Sequence, residues 1–336
     1  MKPKQILLSV IFGLTAVFLI IAYQKTQTVI KEKESFVHEM KEYVAVLSFK
    51  ERLLNAKEWI VQDWEWARKE KASLAHLEKA KTHYNNIFNE SFALVYFAIG
   101  FVLLCLLLYF KYSIKWAIGY GLLIVSFSFL GIGIYTPMMD IQVYSENLEI
   151  PLYVEGAEVI QYAEDEAHLD AIPFVDKLWG KVKDVIADKK IDISKEFHGK
   201  MYYFYNNKSV VDLITILFDA KNYLVAYAIL LFSIGIPVLK MTLSILVLLF
   251  RNWSAWKFTR KVVKAIGKWS MADVFVVAVF LSYLSIKNMN PGVETDATTL
   301  IGLYFFFSYV VVSMIASYFV DAAVKEMEKV EELTIS

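Results

Sequence analysis

The sequence predicts an all-α polytopic membrane protein with six transmembrane helices and a small α+β extracytoplasmic domain. Three observations lead to this fold class. Six apolar stretches, at 6–22, 93–110, 116–135, 223–250, 269–286 and 300–320, mostly approach the roughly 20 residues a helix needs to cross a bilayer. The 336 residues are 57% hydrophobic and 15% aromatic, with apolar runs too long for an ordinary soluble core. Inside the six stretches stand only two fully charged side chains, Lys240 and Asp273.

The first stretch follows MKPK and lacks a small-x-small cleavage site, so it is expected to remain as an uncleaved anchor. Residues 23–91 are charge-balanced, rich in Glu, Lys, Ala, Leu and Trp, and free of Pro and Gly, which predicts a helical hairpin or long helices projecting from the membrane. Residues 136–222 are acidic and mixed. There IQVYSENLEIPLYVEG and EFHGKMYYFYNNKS have the branched and aromatic content of strands, whereas HLDAIPFVDKLWGKVKDVIADKK reads as an amphipathic helix. SVVDLITILFDAKNY, with Asp212 and Asp219 at its polar positions, is expected to lie as a helix at the outer interface before the fourth span.

The orientation follows from the loops, since Lys and Arg accumulate on the cytoplasmic side. RNWSAWKFTRKVVKAIGKW carries Arg251, Lys257, Arg260, Lys261, Lys264 and Lys268 without an acid and is assigned to the cytoplasm. NMNPGVETDATT carries Glu294 and Asp296 without a base and is assigned to the outside, as a loop. Alternation then places both termini in the cytoplasm. The expected organisation is a two-span region over 1–113, a four-span module over 114–323 with its extracytoplasmic insert at 136–222, and a cytoplasmic tail at 324–336.

Several function classes find no support. Net charge is zero, with no basic tail and no cluster of Lys and Arg interleaved with exposed aromatics, so nucleic acid is not an expected partner. The single cysteine, Cys105, excludes an internal disulfide and a Cys-based zinc ribbon. No His-Glu-x-x-His, Gly-x-Ser-x-Gly or phosphate loop occurs, and His38, His76, His83, His168 and His198 are scattered. Neither an enzyme, a cofactor nor a metal site is expected.

A charge in hydrocarbon costs about 2.5–3.5 kcal/mol on insertion scales, so the two intramembrane charges are the candidate functional groups. Lys240 lies eleven residues before Arg251, about 16 Å along a helix, too deep for snorkelling to reach the surface. It is expected to face protein or a wet cavity; Pro237, a site for a helix kink, and Ser233 share its neighbourhood. Its alternative reading is a satisfied lysine in helix packing. Asp273 has two readings, a protonatable partner for Lys240 and, with Ser270, a helix capping box. Ser308, Ser313 and Ser317 line the last span, where serines commonly bond to backbone.

LFSIGIPVLK, the basic loop and the complete string from Trp269 to Phe275, WSMADVF, resemble the paraquat-inducible protein A family. The third span ending GIGIYTPMMDIQVY and the lead-in SVVDLITILFDAKNYLVA look similar to its pattern, so the resemblance covers about 114–323. It implies a four-helix bundle laid out like tetraspanin and claudin-like proteins. It also implies a place in the bacterial inner membrane, with membrane lipids and a periplasmic MCE-domain protein as partners in lipid transport. Ser270 and Asp273 carry over directly as lipid-binding or proton-relay residues, and Lys240, Ser233 and Ser308 fit the family's polar faces. The family's zinc ribbons are absent, and only one module is read. A tetraspan-like scaffold that holds a partner without transporting anything is the alternative expectation. The sequence leaves the oligomeric state open.

Overall fold

The computed structural model describes residues 3–53, 64–150, 153–155, 190–192, 194–250, 259, 261–263 and 294–335. Five helices among them are long and apolar enough to cross a membrane. The span expected at 269–286, most of the basic loop at 251–268 and all of the helix expected within 168–190 but Lys190, which belongs to a strand, lie outside the described residues.

Helix α1 (Pro3–Val46), the short α2 (Phe49–Leu53) and α3 (Trp64–Tyr109) form an antiparallel hairpin. At 1.5 Å per residue α1 and α3 run about 65–70 Å, roughly twice the thickness of a hydrocarbon core. Along the apolar half they pack with rings, Phe18 stacking on Phe101 at 4.7 Å. In the polar half a salt bridge and two histidine–carboxylate hydrogen bonds join the same two helices: Lys25 with Glu90, His83 Nδ1 with Glu32 at 2.8 Å and His76 Nδ1 with Glu39 at 2.6 Å. Two of the scattered histidines are thus helix-pairing groups.

Helix α4 (Ile114–Tyr135) starts at the N-cap Ser113, whose hydroxyl accepts from the Trp116 N–H, and stops before Pro137, which cannot continue it. It is buried along most of its length because it lies at the centre of the bundle. Against α1 it makes the Thr15–Tyr120 hydroxyl bond of 3.1 Å. Against α8 (Ile301–Ile335) it comes close enough that a Cβ on Gly133 would lie 2.7 Å from the Phe306 nitrogen. Small residues permit such backbone approach where no water drives helices together.

After α4 the chain enters β1 (Met139–Ile150), the middle strand of an antiparallel sheet flanked by β4 (Lys195–Lys208) and β5 (Glu294–Thr299); β2 (Tyr153–Glu155) and β3 (Lys190–Asp192) pair separately. The strand readings of 141–156 and 196–209 therefore hold over most of their length. The segment carrying Glu294 and Asp296 is not a plain loop: it closes the free edge of β1 from Met139↔Thr299 to Tyr144↔Glu294. Backbone groups along a partly buried strand need partners, which explains why a sequence with no strand pattern pairs here. The bonds Leu300 N–H to Met138 O and Gly302 N–H to Pro137 O then tie the start of α8 to the end of α4.

The hairpin tip docks on this sheet. The Tyr202 N–H donates to Leu47 O at 2.9 Å, and the fully buried Arg52 donates to the His198 carbonyl while lying 4.0 Å above the Trp66 ring. Gly199, at φ +90, leaves no room for a side chain beside Trp66. Helices α1 and α3 consequently pack along α4, while α1 and α2 reach β4.

Helix α5 (Val210–Asp219) has a full capping box in Ser209 and Asp212, and Lys33 of α1 binds the same carboxylate at 2.6 Å. Burial acts to raise the Asp212 pKa, but Lys33 and the Ser209 bonds outweigh it and hold the group below the ordinary aspartate value. The fourth span follows as α6 (Tyr223–Leu230), a π-helical stretch Leu231–Gly235 and α7 (Ile236–Leu249).

Candidate functional site

Pro237 has no N–H to give the carbonyl of Ser233, and its ring would collide with that oxygen in a regular helix. The chain answers with a wider turn in which Ile236 N–H reaches Leu231 O, five residues back. The expected kink site is therefore a π-helical turn, a rare geometry that concentrates at functional sites. Below it a buried stripe runs Ser233, Pro237, Lys240, Ser244 on the inner face of the span.

Lys240 is 5% exposed and sits nine residues before the end of α7, about 14 Å along the axis. Its carbonyl accepts from the Ser244 hydroxyl at 2.8 Å. The next residue, Met241, receives the Ser126 hydroxyl of α4 at 3.1 Å on its sulfur, and Trp116 donates to Leu248 O at 3.4 Å, which presses the stripe's flank onto α4. Ser233 is 1% exposed and its Oγ has no hydrogen-bond partner among the described residues.

The structure brings Lys240, Ser233 and Pro237 onto one buried face. Ser308 is half-buried on α8, while Ser313 and Ser317 bond to backbone carbonyls at 2.9 Å and 2.7 Å. Ser270 and Asp273 lie outside the described residues.

A second polar cluster stands at the sheet end of the bundle, where sequence reading marked nothing. Asp140 of β1 is 6% exposed, and its Oδ2 accepts from Gln142 Nε2 at 2.9 Å. Burial pushes its pKa up to about 6, against the lowering influence of Gln142 and of the Tyr205 hydroxyl. Burial likewise raises Tyr205 and Tyr202 well above the ordinary tyrosine value. The only trace in the sequence is an acid three residues past Pro137, at the exit of a span.

Five long apolar helices on a common bundle, with a charged side chain buried inside one of them, define a multi-pass membrane protein. Within it, residues 199–324 match the family model described as paraquat-inducible protein A, the family the sequence resembles. The match begins inside β4 and ends in α8, so the N-terminal hairpin, α4 and β1 precede it. No curated protein and no solved structure matched the chain.

Proposed function

We propose that the chain is an inner-membrane subunit of a lipid transport system. It binds a phospholipid-like amphiphile in its four-span module and passes it to or from a periplasmic MCE-type partner. The observation that carries the reading is Lys240, a cation buried in mid-span on the same face as the Ser233 hydroxyl, which has no partner among the described residues. An ionisable side chain inside a membrane helix is costly to keep and marks a substrate or ion pathway. A phosphate-bearing headgroup suits a lysine as a point charge and a serine as a donor.

In this reading Lys240 contacts the lipid phosphate or forms a switchable pair with Asp273, which is the protonatable member. Neutralising Asp273 strands the lysine, giving a two-state element that a proton gradient biases. Ser270 and Ser308 serve the same polar path, and the partner class comes from the family resemblance. The test is complementation of cells lacking the native copy by Lys240→Met and Asp273→Asn at normal protein level. Loss of envelope integrity is expected; full rescue sinks the mechanism. Harmless charge substitutions together with loss of complex formation on deleting 23–91 establish a non-transporting scaffold instead.

A further inference from the structure

Asp140 and Asn207 are direct cross-strand neighbours in the β1–β4 ladder. Such residues share a face of the sheet with Cβ atoms about 5 Å apart. They are 6% and 4% exposed, and each keeps one oxygen, Asp140 Oδ1 and Asn207 Oδ1, without a hydrogen-bond partner among the described residues. Asn207 Nδ2 donates to the Tyr205 hydroxyl at 3.4 Å, which leaves Asn207 Oδ1 as the side of the amide without a donor. Two buried acceptor oxygens on one cross-strand pair thus have no donor among the described residues.

We propose that this pair is a proton-binding site, in which Asp140 takes a proton on Oδ1 and donates it to Asn207 Oδ1. One proton from the water at the sheet end satisfies both oxygens at once and removes a buried negative charge. The neighbouring groups favour it. Asp296 of β5 adds like charge, while Tyr205 and Tyr202 of β4 and Tyr84 of α3 face the carboxyl as neutral rings. Among the described residues no Lys, Arg or His forms an ion pair with Asp140, and none of their acids and histidines cluster as a metal site would need. Two oxygens also fall short of the six to eight that a hard cation collects.

The position gives the proton a consequence. Asp140 stands two residues past Met138, whose carbonyl holds Leu300, and three past Pro137, whose carbonyl holds Gly302. Protonation adds a β1–β4 link at the point where α4 and α8 are joined. This site stands independently of the lipid reading, since it uses none of Lys240, Ser233 or Asp273.

The experiment is pH-difference infrared spectroscopy of the full chain in phospholipid nanodiscs, following the carbonyl stretch of a protonated carboxylic acid. The wild type is expected to show a band titrating near pH 6 that Asp140→Asn removes. Asn207→Asp sets two carboxyls face to face, so the midpoint should rise by about one unit or more, roughly tenfold in proton affinity. A band that titrates near the ordinary aspartate value, about pH 4, or a midpoint unmoved by Asn207→Asp, overturns the proposal. A midpoint displaced by millimolar calcium or magnesium assigns the pair to a metal cation and overturns it equally.

Discussion

Replacing Gly133 by alanine tests the close approach of α4 and α8 that holds the bundle together. The added Cβ would stand 2.7 Å from the Phe306 nitrogen, 2.8 Å from its Cα and 3.0 Å from its Cβ. The obstacle is backbone in a helix, so a rotamer change offers no relief and the helices must separate. Overpacking of this kind costs about 1–3 kcal/mol. The matched control is Gly131→Ala, two residues away on the same helix, where a Cβ meets nothing within 4 Å. Both substitutions gain about 0.5–1 kcal/mol from lower backbone entropy, so the difference between them isolates the clash. Thermal unfolding of the detergent-solubilised chain, read by tryptophan fluorescence, should place Gly133→Ala a few degrees below Gly131→Ala, with the latter at or above wild type. Equal midpoints for the two variants refute the packing described for α4 and α8.

Three further perturbations probe the parts around the bundle. Asp212→Ala removes the capping box and the Lys33 pair together and should cost about 1–3 kcal/mol; a double-mutant cycle with Lys33→Met should return a coupling above about 0.5 kcal/mol. Arg52→Lys keeps the charge but loses the planar group above Trp66, so limited proteolysis should cut the 47–66 tip faster than in wild type while leaving the spans intact. Asp140 holds its proton more tightly when folded, about 6 against 3.8. Its contribution is therefore full below about pH 4 and is lost as pH rises through 6, by roughly 2–3 kcal/mol. Asp140→Asn should flatten that part of the stability profile.

Much of the architecture is legible because hydrophobic runs and helical composition act locally. The stretch at 116–135 becomes α4, and the Pro- and Gly-free segment 23–91 contributes to α1, α2 and α3, since both signals are decided within a few turns. Strand β5 is illegible for the opposite reason. ETDATT has three β-branched threonines but no apolar alternation and two acids, so it reads as a loop, and it pairs because β1, far earlier in the chain, offers an edge. Pro237 announces a break in the fourth span, but the widened turn that absorbs it depends on tertiary packing. Lys240 and Ser233 are readable since any polar group in an apolar run stands out. Asp140 is not, because an acid in a polar segment looks solvated until Tyr205, Asn207 and Tyr84 are folded around it.

The central claim is that a buried cation in the fourth span holds a lipid headgroup. Native mass spectrometry of the gently solubilised chain, wild type against Lys240→Met at equal amounts of folded protein, measures this most directly. A phospholipid retained by wild type and lost at least about tenfold in the variant, equivalent to about 1.4 kcal/mol, is the predicted result. Phospholipid retained equally by both proteins contradicts it.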